Sequence, residues 1–428
     1  MLKLEGKSRI WTIVITVLAT LLVVFVATIF HKPEKELDRK VEHLHGVHDP
    51  QFKREMSALM GPTILPGNSI TALRNGDEIF PAMLKAIHDA KRSITFETYI
   101  YWSGSIGKQF ADALSERARA GVKVHIILDW AGSSKLANLL DELKSAGVEI
   151  QRYHPLHWYS LGRLNHRTHR KLLVVDGKLG FTGGVGIADS WLGHAQDPDH
   201  WRDMHFRVEG PVVAQMQSAF MDNWIKTSGT VLHGDTYFPV LGSAGGMDMH
   251  MFISSPAGGS ASMHLMFLLA IAGAEHTIDI EAAYFLPDSL MTKALIAARK
   301  RGVKVRVILP DKHLDSETVR LSAKGGWGPL LAQGVEIHEY EPTMLHCKVM
   351  IIDGEMVSVG STNFDLRSFQ LNDEASLNVY NREFAAQMTK VFEDDLAQTT
   401  AYSYQLWLDR SWAQKLSEIV LLPIKSQL

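Results

Sequence analysis

The sequence predicts an α/β protein with two similar fused halves. Each half is an α/β/α unit around a mixed, largely parallel sheet, and an N-terminal transmembrane helix precedes them. Three observations predict this fold: a His-x-Lys-x4-Asp pattern that occurs twice, a repeated order of segments around each copy, and one uncharged apolar stretch near the N-terminus. The chain has 428 residues, 46% of them hydrophobic, which is enough for two modest cores or one large one.

The apolar stretch covers residues 10–30 and contains no charged residue. A membrane-spanning helix needs about 20 such residues, whereas a cleavable signal has a shorter apolar core and a small-x-small cleavage site. We therefore predict a single-pass anchor. Basic residues are nearly equal in number on its two sides, so the sequence does not determine which side of the membrane carries the rest of the chain.

Residues 31–65 are charged and then mixed, and we interpret them as a linker with some helix. This segment contains His43, His45 and His48. A metal site needs fixed geometry and supporting contacts, which a solvated linker does not offer. We therefore predict no metal here, and no other ligand set is recognisable in the chain.

Two halves, 66–235 and 236–402, follow the linker. Several short segments of the first half match segments of the second in the same order: 93–99 with 277–284, 120–128 with 301–309, and 147–150 with 334–337. Apolar residues at helical spacing separate short β-rich runs. Strands that alternate with helices indicate a largely parallel sheet covered on both faces.

Two further segments have two interpretations each. Residues 403–428 form a terminal amphipathic pattern, which predicts a helix that either packs on the domain or lies in a membrane interface. The loop 154–163, present only in the first half, is aromatic and aliphatic with flanking arginine. It is either a lipid-facing rim or a loop packed on the domain.

The chemistry lies in the two motifs. Alternate side chains of a strand share a face, so His169 and Lys171 point the same way, as do His346 and Lys348. Two neighbouring cations on one exposed strand face need an anion, and a phosphate is the natural candidate. Lysine contributes a point charge to its oxygens, and histidine can attack phosphorus or transfer a proton.

Carboxylates complete the candidate site. A reactive histidine needs a carboxylate to fix its tautomer, and Asp203 and Glu374 lie at similar distances downstream of the two motifs, one in each half. Asp176 and Asp353 complete the two motifs and belong to the candidate catalytic set by pattern. Strand alternation nevertheless places both opposite the histidines, and we interpret them mainly as structural residues that bind backbone.

The paired motifs resemble those of the phospholipase D superfamily, and within it the chain is similar to bacterial cardiolipin synthases over about residues 65–405. Supporting stretches are 73–76, 94–101, 201–211 and 360–368. The resemblance implies phosphatidyl transfer from one phospholipid to the hydroxyl of another, through a covalent adduct on histidine. By this analogy His169 is the nucleophile and His346 the acid and base, although the near-symmetry of the motifs leaves the opposite assignment open.

The resemblance also implies the setting of the reaction. The substrates would be phospholipids, namely phosphatidylglycerol and possibly phosphatidylethanolamine, with no cofactor, no metal and no known protein partner. The protein would reside in the bacterial cytoplasmic membrane. A net charge of −3 does not favour nucleic acid as a partner. The alternatives are a hydrolytic phospholipase D, a phosphodiesterase nuclease of the same fold, and a non-catalytic scaffold.

The turns after the two motifs differ. The second continues Gly360-Ser361-Thr362-Asn363, the family pattern, whereas the first continues Gly183-Gly184-Val185-Gly186. We therefore expect Gly184, Ser361 and Asn363 to support the anion unequally in the two halves. Cys347, the only cysteine, alternates away from His346, and we predict a buried spacer.

Overall fold

The computed structural model describes residues 2–29, 37, 39–154, 165–255 and 262–421. The N-terminal region contains the helices α1 (Leu2–Ile29) and α2 (Pro50–Met60), and the described apolar side chains of α1 are exposed. Within this described part of the chain, no helix is both long enough and apolar enough to cross a membrane. Phe30 and residues 31–36 lie outside the described residues, so the predicted span 10–30 is covered only as far as Ile29.

The first half contains seven strands and four helices in its described residues: β1 (Leu65–Arg74), α3 (Asn75–Asp89), β2 (Ser93–Thr98), α4 (Ser105–Arg119), β3 (Lys123–Asp129), α5 (Ala137–Ser145), β4 (Glu149–Tyr153), β5 (Leu172–Val175), β6 (Leu179–Gly183), β7 (Met204–Glu209) and α6 (Val213–Ser228). Residues 155–163 of the predicted aromatic loop lie outside the described residues.

The second half repeats this order with short additions: β8 (Met247–Ser254), α7 (Ser262–Gly273), β9 (Thr277–Ala282), β10 (Phe285–Leu286), α8 (Ser289–Lys300), β11 (Lys304–Pro310), α9 (Glu317–Gly326), α10 (Gly328–Leu331), β12 (Glu336–Tyr340), β13 (Lys348–Ile352), β14 (Met356–Gly360), β15 (Phe364–Asp365), α11 (Leu366–Gln370), β16 (Glu374–Tyr380), α12 (Arg382–Leu396) and β17 (Thr399–Ala401). The tail adds α13 (Tyr404–Leu408) and α14 (Trp412–Leu421), and residues 422–428 lie outside the described residues.

The two halves share one continuous sheet. In the described part of the chain it has 15 strands in the order β17-β12-β11-β9-β13-β14-β16-β8-β1-β7-β6-β5-β2-β3-β4. Among these, the parallel pairs are β2–β3, β3–β4, β9–β11 and β11–β12, and every other neighbouring pair is antiparallel. The predicted α/β class and the mixed sheet are confirmed, but the prediction of a largely parallel sheet was wrong.

Asp-Gly pairs explain why each motif strand pairs antiparallel with the strand that follows it. Asp176 and Gly177 join β5 to β6 with φ of 53° and 63°, and Asp353 and Gly354 join β13 to β14 with the same angles. Positive φ at both central residues is the conformation of a type I′ turn, whose twist matches antiparallel strands. The motif strand of each half is therefore the first strand of a hairpin and does not belong to a parallel βαβ unit.

The three largest apolar cores of the described residues flank the sheet. One lies under α3 and α4 of the first half and another under α7 and α8 of the second. The third contains residues of both halves, including side chains of β5, β13, α6 and α12, and Cys347 is fully buried in it as predicted. This shared core and the continuous sheet fix the two motif strands relative to each other.

Candidate active site

The two histidines lie in extended segments that lead into β5 and β13. The backbone N–H of His169 donates to the carbonyl of Asp373 (2.9 Å), and that of His346 donates to the carbonyl of Arg202 (2.7 Å). Each histidine is thus held by a strand of the other half. The two halves meet at the motifs in an arrangement that is nearly symmetric.

Each histidine also contacts a carboxylate of the other half. His169 Nδ1 lies 3.0 and 3.1 Å from the two carboxylate oxygens of Glu374, and His346 Nδ1 lies 2.8 Å from Asp203 Oδ2. The sequence predicted both carboxylates, one in each half, but did not predict which histidine each one contacts. In both histidines the carboxylate contact leaves Nε2 for chemistry.

A different neighbour supports each carboxylate. The hydroxyl of Ser361 donates to Glu374. At the equivalent position of the first half, Gly184 has no side chain, and an added Cβ would lie 2.2 Å from Asp203 Oδ1. Asp203 instead accepts a hydrogen bond from Trp191 Nε1 (2.9 Å). The carboxylate beside His346 is thus the shorter Asp203, which Trp191 and Gly184 adjoin. The carboxylate beside His169 is the longer Glu374, which Ser361 supports.

The two lysines fold back on their own motifs. Lys171 Nζ donates to the carbonyl of His169 (3.0 Å), and Lys348 Nζ donates to the carbonyl of His346 (2.6 Å). Lys348 Nζ also lies 3.2 Å from His346 Nε2. Burial and the charge of Lys348 lower the pKa of Lys171 to about 7, and burial likewise lowers the pKa of Lys348.

Burial also acts on the two histidines. It lowers the pKa of His169 to about 4 and lowers the pKa of His346, where the charge of Lys348 acts in the same direction. Burial alone would raise the pKa of Glu374 and Asp203, but their interactions with the histidines and lysines outweigh it and lower the pKa of both carboxyls. The arrangement therefore favours a neutral His169, the form that a nucleophile needs, oriented by an ionised Glu374.

One cavity of about 410 Å³ contains both histidines and Lys171 in its wall. Asn363 also lines it, and its side-chain oxygen is buried without a hydrogen-bond partner. Of the three turn residues expected to support an anion, Asn363 alone faces the cavity, whereas Ser361 binds Glu374 and Gly184 makes room for Asp203. An anion that enters the cavity would meet imidazole, ammonium and amide groups together.

Asp176 and Asp353 lie away from this cavity. The carboxylate of Asp176 accepts the backbone N–H groups of residues 91, 92 and 93, and that of Asp353 accepts those of residues 275, 276 and 277. These contacts agree with the structural interpretation of both aspartates. Asp176 and Asp353 belong to the repeated motif because each one forms the hairpin turn that follows its motif strand.

Sequence reasoning did not single out several residues of this site: Trp191, Tyr99, Arg167 and Arg367. Tyr99 packs edge-to-face on His169, with ring centroids 5.4 Å apart, and both arginines line the cavity. Arg167 had a usable signal, because it lies two residues before His169 and shares its strand face. The sequence contains no signal for Trp191, because its hydrogen bond to Asp203 is visible only in the folded chain.

Within the described ranges, no group of three or more His, Cys, Asp or Glu side chains could hold a metal ion. Two of the linker histidines, His43 and His48, lie beside Glu275, with His43 Nε2 4.0 Å from its carboxylate. His43 Nδ1 lies 2.7 Å from the carbonyl of Ala272, and His48 Nδ1 lies 3.3 Å from Glu275.

Comparison with known proteins places this geometry in a family. The family model described as "Cardiolipin synthase, PLD-like domain" matches residues 83–224 and 267–396. The chain is 34% identical over 355 residues to the probable cardiolipin synthase YwiE of Bacillus subtilis (strain 168), which covers 82% of this chain and 70% of that protein. The chain belongs to the cardiolipin synthase family. The predicted phospholipase D-type resemblance, function and enzyme class are confirmed at the level of this family.

Other relatives support the assignment. The major cardiolipin synthase ClsA of Bacillus subtilis is 31% identical, over 82% of this chain and 74% of its own length. The crystal structure of phosphatidylserine synthase from Haemophilus influenzae Rd KW20 superposes with a TM-score of 0.69 at 12% identity, over 89% of this chain and all of that one. This structural likeness shows that the two chains share a fold.

Proposed function

We propose that this protein is a phosphatidyltransferase that makes cardiolipin from phosphatidylglycerol by way of a phosphohistidine. The observation that carries the proposal is the pair of histidines in one cavity, each oriented through Nδ1 by a buried carboxylate. The catalytic set we propose is His169, Lys171, His346 and Lys348, supported by Asp203, Glu374, Gly184, Ser361 and Asn363. We further propose that the repeat divides at 66–235 and 236–402.

The first step transfers the phosphatidyl group to the enzyme. His169 Nε2 attacks phosphorus, and the bond from phosphorus to the leaving glycerol oxygen breaks. That oxygen takes a proton from Nε2 of His346, which enters this step as the imidazolium paired with Asp203 and leaves it neutral. Lys171 and Lys348 offset the charge on the phosphoryl oxygens as it develops. Glu374 stabilises the charge that His169 acquires, because its carboxylate lies 3.0 Å from Nδ1.

The second step releases the product. The hydroxyl of the acceptor lipid gives its proton to His346 Nε2, its oxygen attacks phosphorus, and the bond from phosphorus to His169 breaks. Asp203 holds His346 in the tautomer that this exchange needs, through the 2.8 Å contact at Nδ1. Water in place of the lipid alcohol would give phosphatidic acid by the same two steps.

Product analysis tests the proposal. Purified protein is incubated with vesicles of phosphatidylglycerol, and the lipids are separated and identified by mass spectrometry. We expect cardiolipin and free glycerol in equal amounts, and neither from the variant that combines His169→Ala with His346→Ala. Phosphatidic acid without cardiolipin would instead identify a hydrolase, and salt-sensitive cleavage of DNA that depends on His169 would identify a nuclease.

We also propose that the protein works at the bacterial cytoplasmic membrane, anchored through residues 10–30. The exposed face of α14 supports contact with lipid. Trp412, Leu416 and Val420 are four residues apart and 78%, 52% and 67% exposed, so they form one apolar stripe. The other side of the helix packs on α9. Arg410, which pairs with Glu418 of α14 at 3.1 Å, donates from Nη1 to the carbonyl of Lys324 in α9 (3.3 Å).

Interfacial kinetics test this contact. We expect Trp412→Ser combined with Leu416→Ser to lower activity on vesicles about tenfold, because buried apolar area drives interfacial binding. Activity on detergent-dispersed lipid should stay unchanged. Val240→Ser is the control, since that valine is 97% exposed and lies outside the tail. Equal activity of the tail variant and the control on vesicles would show that this stripe does not contact lipid.

A further inference from the structure

A buried arginine directly precedes the carboxylate residue that contacts His346. The guanidinium of Arg202 pairs with Asp395 of α12 through two nitrogens, with Nε 3.0 Å from Oδ1 and Nη2 2.7 Å from Oδ2. Its remaining nitrogen, Nη1, donates to the backbone carbonyl of Asp203 at 2.8 Å. The side chain of Arg202 therefore connects a helix of the second half to the backbone of the residue that orients His346.

The backbone of Arg202 holds His346 as well. Its carbonyl accepts the N–H of His346 (2.7 Å), and its N–H donates to the carbonyl of Met344 (2.9 Å). Asn75 adds two contacts, because its N–H donates to the carbonyl of Asp203 (3.0 Å) and its Oδ1 accepts the N–H of Asp203 (3.2 Å). Arg202 thus contacts both members of the pair, His346 through its backbone and Asp203 through its guanidinium.

A second buried arginine makes the corresponding contact with Glu374. Arg170 follows His169 in the first motif, and its Nε donates to the backbone carbonyl of Glu374 at 3.3 Å. Its other two nitrogens donate to the carbonyl of Ala219 (2.7 Å) and to the carboxylate of Asp222 (2.9 Å), both in α6. The longer distance at Nε makes this a weaker contact than the one at Asp203.

The two arginines are not copies of one repeated position. Cys347 occupies the position after His346, and Asp373 occupies the position before Glu374. The arginines thus come from different places in the two halves, yet each donates to the same atom, the carbonyl oxygen of the residue whose carboxylate orients a histidine. Hydrogen bonds of this kind fix the groups that surround a reacting side chain.

We propose that Arg202 and Arg170 are positioning residues, which hold the backbones of Asp203 and Glu374 so that each carboxylate meets its histidine. This inference rests on the proposed function, which assigns proton transfer to His346 and attack on phosphorus to His169. Loss of Arg202 should therefore slow proton transfer, whereas loss of Arg170 should slow formation of the covalent adduct.

A donor whose leaving group needs no proton separates the two roles. With a p-nitrophenyl phosphodiester lipid, Arg202→Met should release p-nitrophenol in the first turnover at a rate within about twofold of the unmodified protein. Its cardiolipin synthesis from phosphatidylglycerol should fall about 100-fold, and Arg202→Lys, which keeps the charge, should recover part of this loss. Arg170→Met should slow both reactions about tenfold. Equal slowing of both reactions in Arg202→Met would overturn the proposed role.

A paired replacement separates positioning from stability. Arg202→Met leaves Asp395 buried without its counter-charge and should lower the urea concentration at the midpoint of unfolding. Arg202→Met combined with Asp395→Leu removes both charges and should restore most of that midpoint. Burial, the main cause, raises the pKa of the nearby Glu281 and favours its neutral form. We expect cardiolipin synthesis by the double variant to stay about 100-fold low, because Asp203 still lacks the guanidinium.

A similar buried pair provides the control. The guanidinium of Arg306 lies 2.7 and 2.9 Å from the two carboxylate oxygens of Asp279, and its Nη1 donates to the side chain of Glu393. Arg306→Met combined with Asp279→Leu should keep cardiolipin synthesis within about twofold of the unmodified protein. Full recovery of cardiolipin synthesis in Arg202→Met with Asp395→Leu would overturn the positioning role and leave the proposed function intact. Absence of cardiolipin from the unmodified protein would overturn both.

Discussion

The two half-sites hold their histidines in the same way but support them with different residues. His169 has a glutamate that accepts from a serine, and His346 has an aspartate that accepts from a tryptophan beside a glycine. Both histidines line one cavity, but Arg167 lies two residues before His169 in that wall, whereas Met344 lies at the matching position before His346 and does not line the cavity. A duplicated strand has thus become two chemically distinct positions.

Each histidine contacts the carboxylate of the other half, and this makes the comparison of the two half-sites informative. Because each histidine depends on a carboxylate and a backbone carbonyl of the other half, neither half contains a complete site. Changes at matched positions should therefore affect different steps of one reaction and should not inactivate one of two independent sites.

Removal of the histidines should have the largest effect. We expect His169→Ala and His346→Ala each to lower cardiolipin synthesis about 10⁴-fold or more, since one removes the nucleophile and the other the proton carrier. A p-nitrophenyl phosphodiester lipid, whose leaving group needs no proton, should still form an adduct in His346→Ala. Mass spectrometry after an alkaline quench should locate that adduct on His169.

The same experiment distinguishes the two assignments. An adduct on His346 in the His169→Ala variant, with none on His169 in the reciprocal variant, would reverse the roles proposed for the half-sites.

Replacement of the two carboxylates by amides should have the next largest effect. We expect Glu374→Gln and Asp203→Asn each to lower cardiolipin synthesis about 10³-fold, because an amide no longer fixes the imidazole tautomer or stabilises its cation. With the p-nitrophenyl donor, Asp203→Asn should retain rapid release of p-nitrophenol, whereas Glu374→Gln should lose it. The opposite result would make His346, which Asp203 orients, the nucleophile.

The turn residues should have a smaller and unequal effect. Gly184→Ala places a Cβ 2.2 Å from Asp203 Oδ1 and should displace that carboxylate, lowering kcat about 100-fold. Ser361→Ala removes one hydrogen bond to Glu374 and should lower kcat about tenfold. Gly246→Ala, where an added Cβ meets nothing within 4 Å, is the control. Equal losses at Gly184 and Ser361 would contradict the different support of the two half-sites.

The sequence predicted the chemical groups of this site better than their connections. Strand alternation placed His169 with Lys171 and separated Asp176 from both, because a period of two is a local property of the chain. The pairing of His169 with Glu374 depends on contacts between strands far apart in sequence. Two carboxylates at similar distances from two equal motifs carry no local information about which histidine each one meets.

The wrong prediction of a largely parallel sheet has a different cause. Strands alternating with helices are typical of parallel sheets, and this holds for β2, β3 and β4. The Asp176-Gly177 and Asp353-Gly354 pairs were a readable signal for hairpins. The interpretation of Asp176 and Asp353 as structural residues that bind backbone makes no use of this turn signal, so it does not predict the antiparallel strand that follows each motif.

The pH dependence of kcat/KM should show the loss of positive charge on Lys171. In the free enzyme the pKa of Lys171 is lowered to about 7, so its positive charge is present below that pH and lost above it. We expect kcat/KM to fall about tenfold per pH unit above about pH 7. Lys171→Arg, which stays protonated, should move this decline to higher pH. A decline that stays at the same pH in Lys171→Arg would assign it to another group.

The two motif aspartates should have the smallest effect on chemistry and should be equal in the two halves. Each accepts three backbone N–H groups at a turn with φ of 53°. Asp176→Ala and Asp353→Ala should therefore each lower the free energy of unfolding by about 2–4 kcal/mol, measured by urea titration, and leave kcat of the folded protein unchanged. Asparagine tolerates this backbone conformation and keeps one acceptor oxygen, so the Asn variants should lose less stability. A tenfold lower kcat in a folded Asp176→Asn protein would place this aspartate in the reaction after all.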